Sequence, residues 1–238
     1  MDQNVILVET VPLEFDLESL GCRLRIRPGQ TKFMDRLSRL AEEAARVARP
    51  KAVARLCGLT ILDEEKVQVG EVTFSSPLLR QKMNGLGRAF PYLASEGIEL
   101  ADWSLSLSSS LEQVFASALR EVAVQQAENL LERTLLERYG IAQVSAMNPG
   151  SLKVWSLEEQ VPLFELLAPL PEKLGVTLLP SLMMRPEYSV RVCSSRPTAS
   201  FTTVSSAPKK SAPTAGLPLW SPESGTGDAV EKNRWAVP

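Results

Sequence analysis

MNPGSLKVWSLEEQVPLFELLAPLPEKLGVTLLPSLMMRPEYSV, residues 147–190, holds the most informative spacing in this chain of 238 residues. Four short segments follow one another within it: NPG at 148–150, WSLEEQ at 155–160, LGVTL at 174–178 and MRPEYSV at 184–190. Proline removes an amide donor and glycine removes the Cβ, so the backbone beside Gly150 can approach a ligand closely. Pro-Gly pairs also occur in ordinary turns. The residues alone therefore leave a ligand loop and a plain turn both open.

Upstream of this stretch, an amphipathic helix is predicted from Thr31 to Arg49. Thr31 is a suitable N-cap, apolar residues return with the period of one helix face, and Pro50 ends the pattern. Beyond the proline, β-branched runs and turn residues predict short elements: strands at 51–58, 59–62, 67–74 and 89–93, and a helix at 78–84. The connections between these strands are too short for parallel crossovers, so antiparallel pairing is favoured.

The strongest local signals belong to a second helix, predicted at 110–139. Ser109 and Glu112 have the spacing of a capping box before it, and Gly140 supplies a left-handed stop after it. Its broad apolar stripe consists of Leu111, Val114, Phe115, Ala118, Val122, Ala123, Leu130, Leu131 and Leu135. At 1.5 Å per residue this helix is about 45 Å long. We therefore predict an α+β domain over 1–195, in which a twisted, largely antiparallel sheet packs against the two long helices.

Composition argues against several classes of protein. The net charge of −2 with mixed signs gives no electrostatic footprint for nucleic acid or an anionic membrane. No apolar run approaches the length of about 18 residues that spans a bilayer, and the acidic start lacks the basic region of a secretory signal. Histidine is absent and the three cysteines are isolated, which argues against His-based zinc sites and a disulfide framework. We expect a cytoplasmic protein with no metal site, nucleic-acid partner or membrane partner.

The last part of the chain, residues 196–238, has a different composition. Ser, Thr, Pro, Ala and Gly dominate it, and no apolar period persists. Such a segment buries too little apolar surface to offset its ordering entropy, so we predict a disordered Ser/Pro/Thr-rich tail.

The order and spacing of the segments in 147–190 resemble the activation (reactivation) domain of cobalamin-dependent methionine synthase. That family combines a Pro-Gly loop, a W-P-L-x-E-Q segment, an I-G-V-x-L turn and a final M-x-P-x-x-S-V strand. The similarity is to the stand-alone form and covers about residues 5 to 195. It implies an accessory protein that assists reductive remethylation of a corrinoid methyltransferase with S-adenosylmethionine. Cobalamin would be carried by the partner, and this chain, which has no histidine, would supply no imidazole to its cobalt.

The resemblance also implies a set of ligand-binding residues. The matching loop of the family binds S-adenosylmethionine, and it corresponds here to Ala146, Asn148, Pro149, Gly150 and Ser151. Asp102, just ahead of the second helix, is either a loop carboxylate or a contact to a ligand amine or ribose. Ala146 replaces the family's arginine, a natural fork for the ligand carboxylate, and Ser151 replaces its tyrosine.

These two replacements leave a second function open. The chain would then be a non-catalytic docking module for a corrinoid protein, one that kept the fold and lost S-adenosylmethionine binding. No general base or nucleophile points to independent methyltransferase chemistry, so whether the chain is itself an enzyme is left undecided by its sequence.

Overall fold

The computed structural model describes residues 3–150, 155–186 and 189–197, with 142–145 and 189–197 described as backbone. Its helices are α1 (Leu17–Arg23), α2 (Thr31–Val47), α3 (Pro77–Met83), α4 (Ile98–Ser106), α5 (Ser110–Tyr139), α6 (Gln160–Leu167) and α7 (Leu170–Lys173). Its strands are β1 (Val5–Val8), β2 (Lys51–Arg55), β3 (Cys57–Ile61), β4 (Lys66–Val69), β5 (Val72–Ser75), β6 (Arg88–Ser95), β7 (Ile141–Met147), β8 (Thr177–Leu178), β9 (Met184–Arg185) and β10 (Ser189–Pro197). Ser151 and residues 198–238, most of the predicted tail, lie outside the described residues.

Eight strands form one antiparallel sheet. One path of neighbours runs β1-β2-β6-β3-β4-β5, and β10 pairs with both β6 and β7. β2 pairs with the second half of β6 and β3 with its first residues, so these two strands share one edge of β6 while β10 takes the other. β8 and β9 form a separate two-stranded sheet. The predicted α+β class with a largely antiparallel sheet is confirmed. Of the two long helices that were predicted to pack against this sheet, α5 does so, whereas α2 packs mainly against α1, α4 and α5.

The two long helices differ in what they pack against. The second half of α5 packs on the face of the sheet formed by β1, β2, β6 and β7, while its first half packs against α2 and α4. The opposite face of the sheet is covered by α3, α6 and α7 around a core that includes Trp155 and Phe74. α5 therefore connects the sheet to the helical layer.

Several predicted boundaries were wrong. The strand predicted at 67–74 is two strands, because Gly70 takes φ +59° and turns the chain between β4 and β5. Gln30, and not Thr31, is the N-cap of α2, and the helix ends at Val47. The residue before a proline is disfavoured in helical conformation. The residues just before Pro50 therefore leave the helical conformation, and α2 ends two residues earlier than predicted.

The capping box predicted for α5 does not form as such. Ser109 is the N-cap, but its side chain makes no capping hydrogen bond. Glu112 instead pairs with Arg36 and Arg39 of α2, at 2.5 and 3.2 Å. The predicted stop is confirmed, since Gly140 is left-handed at φ +59°. Tertiary ion pairs thus replaced the local cap without moving the ends of the helix.

Candidate functional site

The Pro-Gly loop begins where β7 ends. Met147 packs against the core on one face of the sheet, and Ala146 is exposed, as strand alternation requires. Pro149 is buried, Asn148 is half-buried and Gly150 is exposed. The loop is therefore anchored by its proline and open to solvent at its glycine.

Gly150 has a local reason to be glycine. Its φ is +81°, and its N–H donates to the Trp155 carbonyl oxygen at 2.9 Å. A Cβ at this position would lie 2.7 Å from Cδ1 of Leu157, so that side chain, which is 41% exposed, would have to shift. The sequence did not predict this contact with Leu157. The left-handed backbone of the loop thus favours glycine here, whether or not a ligand approaches.

Trp155, whose carbonyl oxygen accepts the hydrogen bond from Gly150, is buried in the core next to the loop. It is 2% exposed and meets the Phe74 ring edge-on, with ring centroids 6.4 Å apart. Its indole Nε1 has no hydrogen-bond partner among the described residues. Trp155 is therefore a core residue in this structure.

The segment after Trp155 forms a short turn beside the Pro-Gly loop. Ser156 Oγ accepts from the Glu158 N–H at 3.3 Å and starts a 3-10 turn, Leu157–Glu159, that leads into α6. Glu159 accepts a hydrogen bond from the Ser75 N–H at 3.2 Å, which fastens the turn to β5. Burial raises the pKa of the Glu159 carboxyl, and the Ser75 hydrogen bond partly offsets this. Leu157 and Val161 are each 41% exposed, so the turn presents apolar surface beside Gly150.

Asp102 lies on the exposed surface of α4, and not in a loop. β6 leads into α4, and its Ala94 pairs with Ser189, while Met147 of β7 pairs with Val192 of β10. β6 and β7 therefore point toward the same end of the sheet. The structure places α4 and the Pro-Gly loop at that end, although no described contact joins Asp102 to the loop.

Two other cavities involve none of the predicted site residues. One, of about 580 Å³, lies at the opposite end of the sheet beside Cys57, where both Nη atoms of Arg55 donate to the carbonyl oxygens of Leu166 and Ala168. The other, of about 560 Å³, lies between α5 and the segment before α1. Among the residues that the structure describes, no group of His, Cys, Asp or Glu could hold a metal ion. None of the described helices is both long and apolar enough to cross a membrane.

Comparison with solved structures identifies the architecture. The chain is similar to the crystal structure of the MetH reactivation domain bound to AdoHcy, with a TM-score of 0.57, over 83% of this chain and 80% of that one. The fold is that of the MetH reactivation domain. Sequence identity is 14%, so the similarity concerns the fold alone. No protein-family profile matches the sequence, and no curated protein matches it.

Proposed function

We propose that this protein is a cytoplasmic accessory module that assists reductive remethylation of a corrinoid-dependent methyltransferase with S-adenosylmethionine. The observation that carries the proposal is the shared fold with a reactivation domain that binds AdoHcy. The Pro-Gly loop at the end of β7 supports it, because Gly150 is exposed and its backbone is open to a ligand. The partner in this proposal is a corrinoid-binding methyltransferase module, which carries the cobalamin.

The proposed ligand site uses the loop and its surroundings. Asn148, Pro149 and Gly150 would offer backbone groups, and Asp102 a carboxylate for an amine or ribose. Ser151 completes the site in the proposal. When bound, S-adenosylmethionine supplies the methyl group that the partner's cobalamin receives. This chain would bind and orient the ligand, and it needs no acid or base of its own for that role.

The described residues fit one part of such a ligand better than another. Gly150, Leu157 and Val161 offer open backbone and apolar surface suited to a nucleoside. Ala146 is exposed and uncharged at the position where the resemblance predicts an arginine that binds the ligand carboxylate. These observations favour weak binding of the amino-acid end of the ligand.

A second function is favoured by the same loop. The left-handed φ of Gly150 already explains a glycine there without a ligand, and Ala146 leaves the loop without a guanidinium at that position. The alternative proposal is therefore a non-catalytic docking module that binds a corrinoid protein and no longer binds S-adenosylmethionine.

Titration calorimetry with S-adenosylmethionine and AdoHcy separates the two proposals. The double substitution Ala146→Arg with Ser151→Tyr should strengthen binding by about 1.5–3 kcal/mol, roughly 10- to 150-fold, the contribution of a hydrogen bond to a charged group. Val114→Arg, at a position on α5 that is 56% exposed, is the control for added charge and should leave affinity unchanged. If neither the native nor the double-substituted protein binds either compound, the methyl-donor function is rejected and the docking module remains.

A further inference from the structure

We propose that Glu96 and Arg120 are positioning residues for the ligand site, because they fix the direction in which α4 leaves the sheet. The inference rests on the proposed function, since α4 carries Asp102. Neither residue belongs to the predicted site, and both lie where the sheet meets α4 and α5.

The pair is buried and geometrically restrictive. Arg120 Nε and Nη2 both donate to Glu96 Oε1, at 3.0 and 2.8 Å. The Glu96 side chain is 1% exposed and that of Arg120 is 17% exposed. Desolvation offsets most of the attraction within a buried ion pair, and apolar replacements are often neutral or stabilising. A planar guanidinium does, however, fix orientation, which favours a role in placement over one in stability.

The connection between β6 and α4 is also held at two further points. Ser95 Oγ accepts from the Gly97 N–H at 2.9 Å, within a fully buried turn. Gly97 has φ +87°, and a Cβ there would lie 2.6 Å from the Arg49 carbonyl oxygen. The connection is therefore confined by its own turn, by the chain following α2 and by Arg120 from α5.

This confinement reaches the proposed site from two directions. α4 begins one residue after Gly97 and exposes Asp102 between Ile98 and Leu105, which are 38% and 72% exposed. α5, which carries Arg120, ends at Gly140 and leads directly into β7 and the Pro-Gly loop. The ion pair thus links the connection that leads into the helix carrying Asp102 to α5, the helix that leads to the loop. A rotation of α4 would move Asp102 relative to Gly150.

The experiment replaces the buried pair by apolar residues, Glu96→Leu with Arg120→Met. We expect AdoHcy to bind at least 10-fold more weakly by calorimetry, with the thermal midpoint within about 5 °C of native. We also expect the amides of 98–106 to exchange at least 10-fold faster by hydrogen-exchange mass spectrometry. The matched control is Arg23→Met with Glu121→Leu, which removes an exposed ion pair between α1 and the neighbouring position of α5. It should change neither quantity by more than twofold.

Native affinity for AdoHcy in the buried double variant, or native exchange across α4, would overturn the proposal. If that variant fails to fold, Arg120→Lys keeps the charge without the two-atom contact and is judged by the same two criteria. If the native protein binds neither AdoHcy nor S-adenosylmethionine, the proposed function fails. The placement of α4 by the pair is then decided by exchange alone, and unchanged exchange rejects it.

Discussion

Substitution of Gly97 by alanine tests how tightly the connection between β6 and α4 is packed. Gly97 has φ 87° and ψ 148°, a region that residues with a Cβ almost never occupy. Strain in such regions costs about 1–3 kcal/mol. The added Cβ would also lie 2.6 Å from the Arg49 carbonyl oxygen, so backbone must move, and overpacking of this kind costs about 1–3 kcal/mol. The lower entropy of the unfolded alanine chain returns about 0.4–1 kcal/mol. The expected net loss is therefore about 3 kcal/mol.

Urea unfolding followed by circular dichroism measures this loss directly. A loss of 3 kcal/mol also corresponds to a fall in thermal midpoint of roughly 6–12 °C for a domain of this size. Gly140→Ala is the matched control, because Gly140 also has positive φ, at +59°, but a Cβ there would have nothing within 4 Å. It should lose only about 1 kcal/mol, from strain alone. The reasoning is refuted if Gly97→Ala is no more destabilising than Gly140→Ala.

Three further predictions follow from burial and composition. Leu119→Asp should abolish soluble folding, because Leu119 is 0% exposed. An unpaired buried charge costs several kcal/mol, against a total stability of roughly 5–15 kcal/mol. Val114→Asp, at a position on the same helix that is 56% exposed, is the control and should remain soluble. Burial raises the pKa of the Cys57 thiol to about 11, so its rate of alkylation, followed by mass spectrometry, should keep rising with pH beyond 9. Exposed Cys22 should react much faster than Cys57 at neutral pH, and equal rates at pH 8 would contradict this. The tail predicted at 196–238 begins too early, because Arg196 and Pro197 belong to β10 and pair with β7. We propose that the tail starts after β10, so deletion of 200–238 should shift the thermal midpoint by less than about 5 °C, and a larger fall would show that it stabilises the domain.

Local sequence signals predicted a helix correctly where residues close together in the chain mark both of its ends. The helix predicted at 110–139 matches α5, because Ser109 and the left-handed Gly140 mark its ends in sequence. α4 was missed, because it starts after Gly97 without a side-chain cap. Leu100 is buried in the cluster that α4 shares with α2 and α5, and Trp103 packs against it, so packing sustains this helix. Tertiary contact therefore decided what its sequence left ambiguous.

The sequence also could not predict which part of the apolar stripe of α5 is buried. Leu111 and Val114 belong to the predicted stripe but are 40% and 56% exposed, whereas Phe115 and Leu131 are buried. Hydrophobic periodicity identifies which residues share a helix face, but only the positions of α2, α4 and the sheet decide which part of that face is covered. Burial along a long helix is a property of its neighbours.

The sequence by itself determined the two long helices and the α+β class. These follow from interactions between residues close together in the chain, such as turn chemistry and periodicity. Only the tertiary structure decided that Gly150 packs on Leu157, that Asp102 lies on a helix and that Glu96 is buried against Arg120. Each of those contacts joins separate segments of the chain, and their meeting depends on how strands and helices pack, which no local pattern specifies.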